Sequence, residues 1–284
     1  MKKVLGMSAL ALGAALAACG DDDGSGALTF TTWGEDYVER EIPADDVEDG
    51  WTIRFDRFLL AIGAVTVAEP GAPPAARMTA SKIFAMTAPG AKEVVRFPDL
   101  PARAYPEVSF EVAPVTADTE LGEGATDADR DAMVAGGWSV YVEATATRGE
   151  VTKRLRWGFG TRTRYERCRS NAAGKPTDGV VVTNGGVEVV ELTIHGDHFF
   201  YDDLAAPDAK VRFAALAAAD ADADGEIALE ELAAVELAAI PAARGPYGTG
   251  NAAGVHDLRG FVEALSRTVG HFRGEGECVS VAVP

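Results

Sequence analysis

The chain has 284 residues, of which 47% are hydrophobic and 25% charged, and its formal net charge is -18 at pH 7. This apolar content suffices for one or two ordinary hydrophobic cores and is not typical of a disordered protein. The negative charge repels nucleic-acid phosphates and anionic membrane surfaces, so we expect no nucleic-acid partner.

The N-terminus has the pattern of an export signal. Lys2 and Lys3 precede an apolar run, Val4 to Ala18, which is too short to span a bilayer stably. We therefore predict a signal peptide over residues 1–18. Its removal takes away two lysines, so the net charge changes from -18 to -20. A plain secretory signal cleaved nearby is the alternative.

The residues that end this run include a cysteine. Leu16, Ala17, Ala18 and Cys19 together resemble a bacterial lipobox. The resemblance implies cleavage before Cys19 and a lipid on its sulfur, which would anchor the protein to the membrane of the cell envelope. Residues 19–26 are acidic and glycine-rich, as expected of a flexible tether. Gly20 favours the outer membrane, although the neighbouring aspartate leaves the choice open.

Residues 27–195 have the pattern of a β domain. The segment Trp51 to Phe58 alternates apolar and polar residues, which predicts a strand with one buried face. Further predicted strands are Leu59–Val67, Lys82–Thr87, Glu93–Phe97, Val108–Ala113, Trp138–Thr147, Val151–Thr163, Gly179–Thr183 and Val187–Ile194. Gly185 and Gly186 suggest a hairpin between the last two. Short strands separated by Pro/Gly turns favour an antiparallel β-sandwich-like domain, interrupted by a short helix capped by Thr126.

The most specific motif is the acidic stretch Asp220 to Glu231 (DADADGEIALEE). Asp220, Asp222 and Asp224 stand at positions one, three and five, Gly225 at six and Glu231 at twelve. Glu226 at position seven would supply its backbone carbonyl, and Glu231 would close the site with both carboxylate oxygens. Such carboxylates converge around a hard cation, so the sequence predicts bound Ca²⁺.

This stretch resembles a single EF-hand loop. Apolar residues at helical spacing precede it in Lys210–Ala219 and follow it in Leu229–Ile240. The resemblance implies a small helical, calcium-binding region over residues 196–284, and hence an α+β fold. A degenerate partner loop, Gly248–Phe261, could place Val255 opposite Ile227. A final helix is predicted over His256–Phe272 and a C-terminal strand over Glu277–Val283.

Two cysteines remain after Cys19. Cys168 and Cys278 are expected to pair in an oxidising envelope, which would close a loop of 278 minus 168, or 110 residues. The alternative is two separate thiols.

The junction between the two regions contains His195 and His198 beside several aspartates. Imidazoles and carboxylates together can bind Zn or Cu, and His256 or His271 could add a ligand. Histidines three apart at a strand end do not share a strand face, so they converge only if the turn brings them together. Capping or core hydrogen bonding is the alternative interpretation.

These features give one main functional hypothesis and one alternative. The main hypothesis is a lipid-anchored, calcium-binding envelope protein that serves as a binding or interaction module, in which Ca²⁺ is structural. The alternative is a transition-metal-binding protein or metallohydrolase that uses His195 and His198. The sequence has no nucleophile elbow, so an enzyme is the less favoured class, and it leaves a protein partner or small ligand of the β domain unidentified.

Overall fold

The computed structural model describes residues 24–171 and 175–284. The predicted signal peptide and Cys19 lie outside these ranges, so they stay predictions. Within the described ranges the chain is mostly β, and the first strand already begins at Ser25, inside the predicted tether. No described helix is long and apolar enough to cross a membrane.

The regular elements are numbered in chain order. The described strands are β1 (Ser25–Trp33), β2 (Thr52–Ala68), β3 (Ala76–Arg77), β4 (Ser81–Ala85), β5 (Lys92–Pro101), β6 (Ala104–Tyr105), β7 (Glu107–Val112), β8 (Glu120–Leu121), β9 (Val140–Arg148), β10 (Val151–Phe159), β11 (Thr163–Ser170), β12 (Thr177–Asp178), β13 (Val180–Val181), β14 (Val187–Ile194), β15 (Glu226–Ile227), β16 (Gly270–Phe272) and β17 (Glu277–Ala282). The described α-helices are α1 (Glu35–Glu39), α2 (Asp127–Gly136), α3 (Ala214–Ala217), α4 (Leu229–Ala233) and α5 (Leu258–Leu265).

Two main sheets organise the molecule. A four-stranded sheet has the order β16-β14-β1-β5, and a larger, curled sheet contains β2, β7, β9, β10 and β11. The long strand β2 pairs with β9 along residues 52–60 and with β7 along residues 62–68. Strands β1 and β14 run parallel, from the pair Ala27 and Val187 to the pair Trp33 and Thr193. The sheets are therefore mixed, whereas the sequence predicted antiparallel pairing throughout.

One hydrophobic core joins the β strands to the segment that follows β14. Phe199 packs on Phe58 of β2 with ring centroids 5.9 Å apart, and Phe200 packs on Phe55 at 6.0 Å. Phe213 extends this row by packing on Phe200 at 5.7 Å. Each fully buried phenylalanine contributes about 1.5–3 kcal/mol relative to an exposed one. This packing fixes the segment between β14 and α3 rigidly against the sheet.

The prediction of an α+β fold with a helical EF-hand region over residues 196–284 is wrong, because the described part of the chain is mostly β with short helices. Helices α3 and α4 have four and five residues, and the same range contributes β15, β16 and β17 to the sheets. Isolated segments of this length are marginal as helices, so tertiary pairing decides their conformation. Ile227 pairs with Leu155 of β10, and Trp157 Nε1 donates a hydrogen bond to its carbonyl at 2.9 Å.

Other sequence predictions fare differently. The β15 pairing overturns the proposed contact between Ile227 and Val255. The hairpin around Gly185 is also wrong, because β13 pairs with β6 while β14 pairs with β1.

The helix capped by Thr126 is confirmed, with Asp129 completing the capping box. The disulfide between Cys168 and Cys278 is confirmed, as is the C-terminal strand, β17.

The final predicted helix, His256–Phe272, is wrong in its C-terminal part. Helix α5 ends at Leu265, and Gly270 to Phe272 form β16 against the end of β14. Ser266, Thr268 and Gly270 interrupt the helical pattern with weak helix formers, so the chain leaves the helix and adds a strand. This change of element carries His271 to the four-stranded sheet.

Candidate metal centre

Three histidines converge where β14 meets β16. His195 follows the last residue of β14, and its backbone N–H bonds Val269 O at 2.9 Å. His198 lies in a short 3₁₀ turn, Asp197–Phe200, and His271 lies in β16 opposite Thr193. Gly196 makes the turn possible, because a Cβ there would come within 2.6 Å of the Phe55 ring. We call His195, His198 and His271 the histidine triad.

The triad is compact and buried. Ring centroids of His195 and His271 are 4.0 Å apart, those of His198 and His271 are 4.8 Å apart, and those of His195 and His198 are 5.4 Å apart. One ring nitrogen from each residue lies within 4.8 Å of the others, a separation that a single metal ion can bridge. His195 Nε2 and His271 Nδ1 are buried without a hydrogen-bond partner. Buried polar atoms are normally paired, so these two nitrogens fit a missing ligand.

The tautomer of His198 follows from its neighbour. The Thr268 hydroxyl donates its proton to Leu265 O at 2.9 Å, and His198 Nδ1 lies 3.0 Å from the same oxygen. Because a hydroxyl has one proton, its oxygen must accept the proton on Nδ1. His198 Nε2 is then the nitrogen with a free lone pair. Metal-bound histidines commonly hold their second ring nitrogen in this way.

Burial keeps two of the imidazoles neutral. Desolvation, followed by the positive potential of His195, lowers the pKa of His198 to about 3. Desolvation, followed by His195 and His198, lowers the pKa of His271 to about 2. A metal ion binds the neutral form of imidazole, so near pH 7 these two rings require no deprotonation before binding.

Carboxylates surround the triad. Glu35 Oε1 lies 3.3 Å from His195 Nε2, which is within ion-pair distance. The two atoms do not form a hydrogen bond, so His195 Nε2 has no hydrogen-bond partner. Asp197 accepts a hydrogen bond from Tyr201 Oη at 3.0 Å, and its other oxygen is buried without a partner. Burial raises the pKa of both carboxyls, with His195 as the largest opposing influence. Negative charge that is poorly solvated favours a cation at this place.

A cavity of about 360 Å³ adjoins the triad. Its wall includes His195, His198 and His271 together with Tyr201, Asp203, Glu275 and Glu277. Burial raises the pKa of Glu277, with the positive potential of His195 as the largest opposing influence. The triad is therefore reached through a polar, acidic opening rather than sealed in the apolar core.

The structure places the sequence-predicted histidines clearly. His195 and His198 converge because the turn after Gly196 brings them together, and His271 joins them from β16. His256 is exposed and lies outside the triad. The sequence analysis missed Glu35, which lies 160 positions before His195. Only the parallel pairing of β1 with β14 brings Glu35 near His195.

The acidic loop forms a second group of carboxylates. Oxygens of Asp220, Asp222 and Glu231 lie within 4.8 Å of one another. Asp224 instead accepts a bond from the Glu226 N–H at 2.7 Å, and Glu226 lies in β15. Asp220 Oδ1 is buried without a partner, while Oδ2 contacts Lys153 Nζ. That contact lowers the pKa of the Asp220 carboxyl.

Comparisons with known proteins add little. No protein-family model matches the chain, and no curated protein matches it either. The solved structure of MbnP from Methylosinus trichosporium aligns with 65% of this chain and 85% of its own, with 12% sequence identity and a TM-score of 0.33. A similarity of this size carries no argument about function, so the functional conclusions below depend on the residues alone.

Proposed function

We propose that this protein binds a transition-metal ion, Zn²⁺ or copper, at the histidine triad. The observation that carries the proposal is the convergence of three buried imidazoles, two of which have a nitrogen without a partner. Imidazole suits Zn and Cu, whereas Ca²⁺ prefers oxygen ligands. Three protein ligands also leave a coordination position that can face the cavity, as in zinc sites that bind a water.

The test is metal binding by the chain from Gly20 onward, which keeps every described residue. Zn²⁺ and Cu²⁺ would be titrated by calorimetry and the bound metal counted by elemental analysis. We expect His271→Ala to lose a metal ion that the wild type binds, because it removes a direct ligand. His256→Ala is the matched control, since this exposed histidine lies outside the triad. Equal binding by wild type and His271→Ala would refute the proposal.

A second proposal is that the loop Asp220–Glu231 binds Ca²⁺ as a structural ion. The observation that favours it is the buried Asp220 Oδ1, which has no partner and lies beside the carboxylates of Asp222 and Glu231. Lys153 contacts the other oxygen of Asp220 and partly balances its charge, so Ca²⁺ would have to compete with this ammonium. Bound Ca²⁺ would fix the loop against β10 through β15.

Calcium titration by calorimetry tests this second proposal. Glu231→Gln should weaken Ca²⁺ binding strongly, because it removes the negative charge and one of the two oxygens of the closing ligand. Glu230→Gln, at the neighbouring residue, serves as the control. Neither variant should alter transition-metal binding at the triad. Absence of Ca²⁺ binding by the wild type at millimolar concentration would remove the proposal and leave the first one intact.

The site of action is also proposed from the N-terminal sequence. A lipid on Cys19 would tether the protein to the bacterial cell envelope, with the outer membrane favoured by Gly20. Residues 20–24 would then separate the lipid from β1. Mass spectrometry of the protein recovered from membranes tests this, since a diacylglycerol-modified Cys19 is expected and an unmodified N-terminus would refute it.

A further inference from the structure

The acidic loop Asp220–Glu231 contains a positive charge that belongs to the protein itself. Lys153 of β10 extends its side chain to the loop, where its Nζ forms an ion pair with Asp220 Oδ2. The side chain of Asp220 is 0% exposed and that of Lys153 is 16% exposed. Removal of the lysine would therefore leave a covered carboxylate without its counter-charge.

The two oxygens of Asp220 differ in their partners. Oδ2 accepts a hydrogen bond from the Gly225 N–H at 3.0 Å in addition to its contact with Lys153. Oδ1 is buried and has no partner. Asp220, Asp222 and Glu231 each offer an oxygen within 4.8 Å of the others. An oxygen without a partner beside two further carboxylates provides the hard donors that Ca²⁺ prefers.

Strand pairing fixes Lys153 at the loop. The N–H of the next residue, Arg154, donates a hydrogen bond to Gly225 O at 2.8 Å. Trp157 lies on the same face of β10 as Lys153, and its Nε1 donates to Ile227 O at 2.9 Å. The position of the ammonium is thus set by the backbone of β10 and not by the side chain of an isolated surface residue.

The charge of the loop exceeds what one lysine can balance. The three converging carboxylates carry a charge of -3 when ionised, and Lys153 reduces it to -2. The contact with Lys153 is the largest influence on Asp220 and lowers the pKa of its carboxyl, so this group is ionised near pH 7. The remaining carboxylates still repel one another, and a divalent cation would reduce this repulsion further.

We propose that Lys153 is the internal cation of this loop, which stabilises the loop when Ca²⁺ is absent and sets its affinity for Ca²⁺. The inference depends on the second proposed function, Ca²⁺ binding by Asp220–Glu231. A Ca²⁺ ion on Asp220 Oδ1 shares one carboxylate with the ammonium on Oδ2, so each cation weakens the binding of the other. The loop then binds Ca²⁺ reversibly, at a concentration that Lys153 raises.

The first experiment measures Ca²⁺ affinity by calorimetry in the chain from Gly20 onward. We expect Lys153→Met to bind Ca²⁺ about tenfold more tightly, because the Asp220 carboxylate then interacts with Ca²⁺ alone. Lys153→Arg keeps the charge and should bind like the wild type. The matched control is Arg156→Met, which removes a positive charge from an exposed residue of the same strand and should leave the affinity within about twofold of the wild type.

The second experiment measures the thermal midpoint in a chelator and in millimolar Ca²⁺. In the chelator, Lys153→Met should unfold at a lower temperature than the wild type, because the Asp220 carboxylate has lost its counter-charge. Ca²⁺ should raise the midpoint of this variant more than that of the wild type. The double variant Lys153→Met with Asp220→Asn removes both charges, so it should fold in the chelator and be insensitive to Ca²⁺. This double variant keeps the test decisive if the single variant folds poorly.

The outcomes separate the two proposals. Equal Ca²⁺ affinities of the wild type and Lys153→Met refute the role of Lys153 and keep Ca²⁺ binding by the loop. Binding by Lys153→Met alone supports the role of Lys153 and refutes Ca²⁺ binding by the natural loop. Absence of binding in both proteins refutes both proposals.

Discussion

Thr268 determines which nitrogen of His198 faces the other two histidines. Its hydroxyl proton is used by Leu265 O, so its oxygen accepts from His198 Nδ1. The ring is also held by Tyr201, whose ring centroid lies 4.4 Å away. A ligand that is already oriented loses less conformational entropy on metal binding.

Replacing Thr268 by valine should weaken transition-metal binding while leaving the three ligands present. Valine keeps the shape of threonine but removes the acceptor, so His198 loses the bond that fixes its tautomer. We expect the dissociation constant to rise by about 10–100-fold, and Thr268→Ser to restore it. Competition with a chromophoric chelator measures the change. Equal affinities for the threonine and valine proteins would contradict this role.

At the scale of elements, β17 and its disulfide form one wall of the cavity. Glu277, Cys278 and Ser280 line that wall, and β17 pairs with β11 on one side. The Cys168–Cys278 bond ties the strand to β11 across 110 residues of chain. Without this bond, the exposed edge strand of six residues is held mainly by its backbone pairing with β11.

Removal of the disulfide in Cys168→Ala with Cys278→Ala should lower the free energy of unfolding by about 2–5 kcal/mol, because the unfolded chain gains entropy. Denaturation in guanidinium chloride measures this loss. Hydrogen exchange should show that the amides of β17 lose protection before those of β2. Wild-type protein with its disulfide reduced should behave like the double alanine variant. Unchanged amide protection of β17 in the variant would refute the dependence of this strand on the disulfide.

At the scale of the whole molecule, the buried histidines make the stability of the metal-free protein depend on pH. In the unfolded chain a histidine has a pKa of about 6.5. In the folded chain the pKa of His198 is lowered to about 3 and that of His271 to about 2. Below pH 6.5 the unfolded state therefore takes up protons that the folded state does not. Stability is lost as the pH falls from 6.5 towards these lower values.

We expect His271→Phe to reduce this acid sensitivity in metal-free protein. Each neutral buried histidine costs about 1.4 kcal/mol per pH unit below 6.5, so the slopes of wild type and variant should differ by about that amount. Urea denaturation at pH 7.5, 6.5 and 5.5 measures both slopes. The raised pKa values of Glu35 and Asp197 make the folded protein more stable as the pH falls, which is opposite to the effect of the histidines. Both proteins contain these carboxyls, so their contribution cancels in the difference between the two slopes. Parallel slopes would contradict the assignment.

The sequence by itself determined features that depend on neighbouring residues. Thr126 and Asp129 lie three positions apart and form the predicted capping box. The alternation of Ile53 and Phe55 correctly predicted buried positions of β2. The pairing of Cys168 with Cys278 followed from their being the two cysteines that remain after Cys19. Strand β1 was missed although Leu28 and Phe30 alternate with threonines, a signal of the same local kind.

Only the tertiary structure decided the fold of the C-terminal part and the composition of the candidate metal centre. His271 stands 76 positions after His195, and the helical pattern around it did not indicate β16. The pairing of β16 with β14 outweighed a weak helical preference, and the parallel pairing of β1 with β14 brought Glu35 to His195. Local patterns restrict only local conformation, whereas contacts between distant segments are decided by burial and backbone hydrogen bonding in the whole molecule.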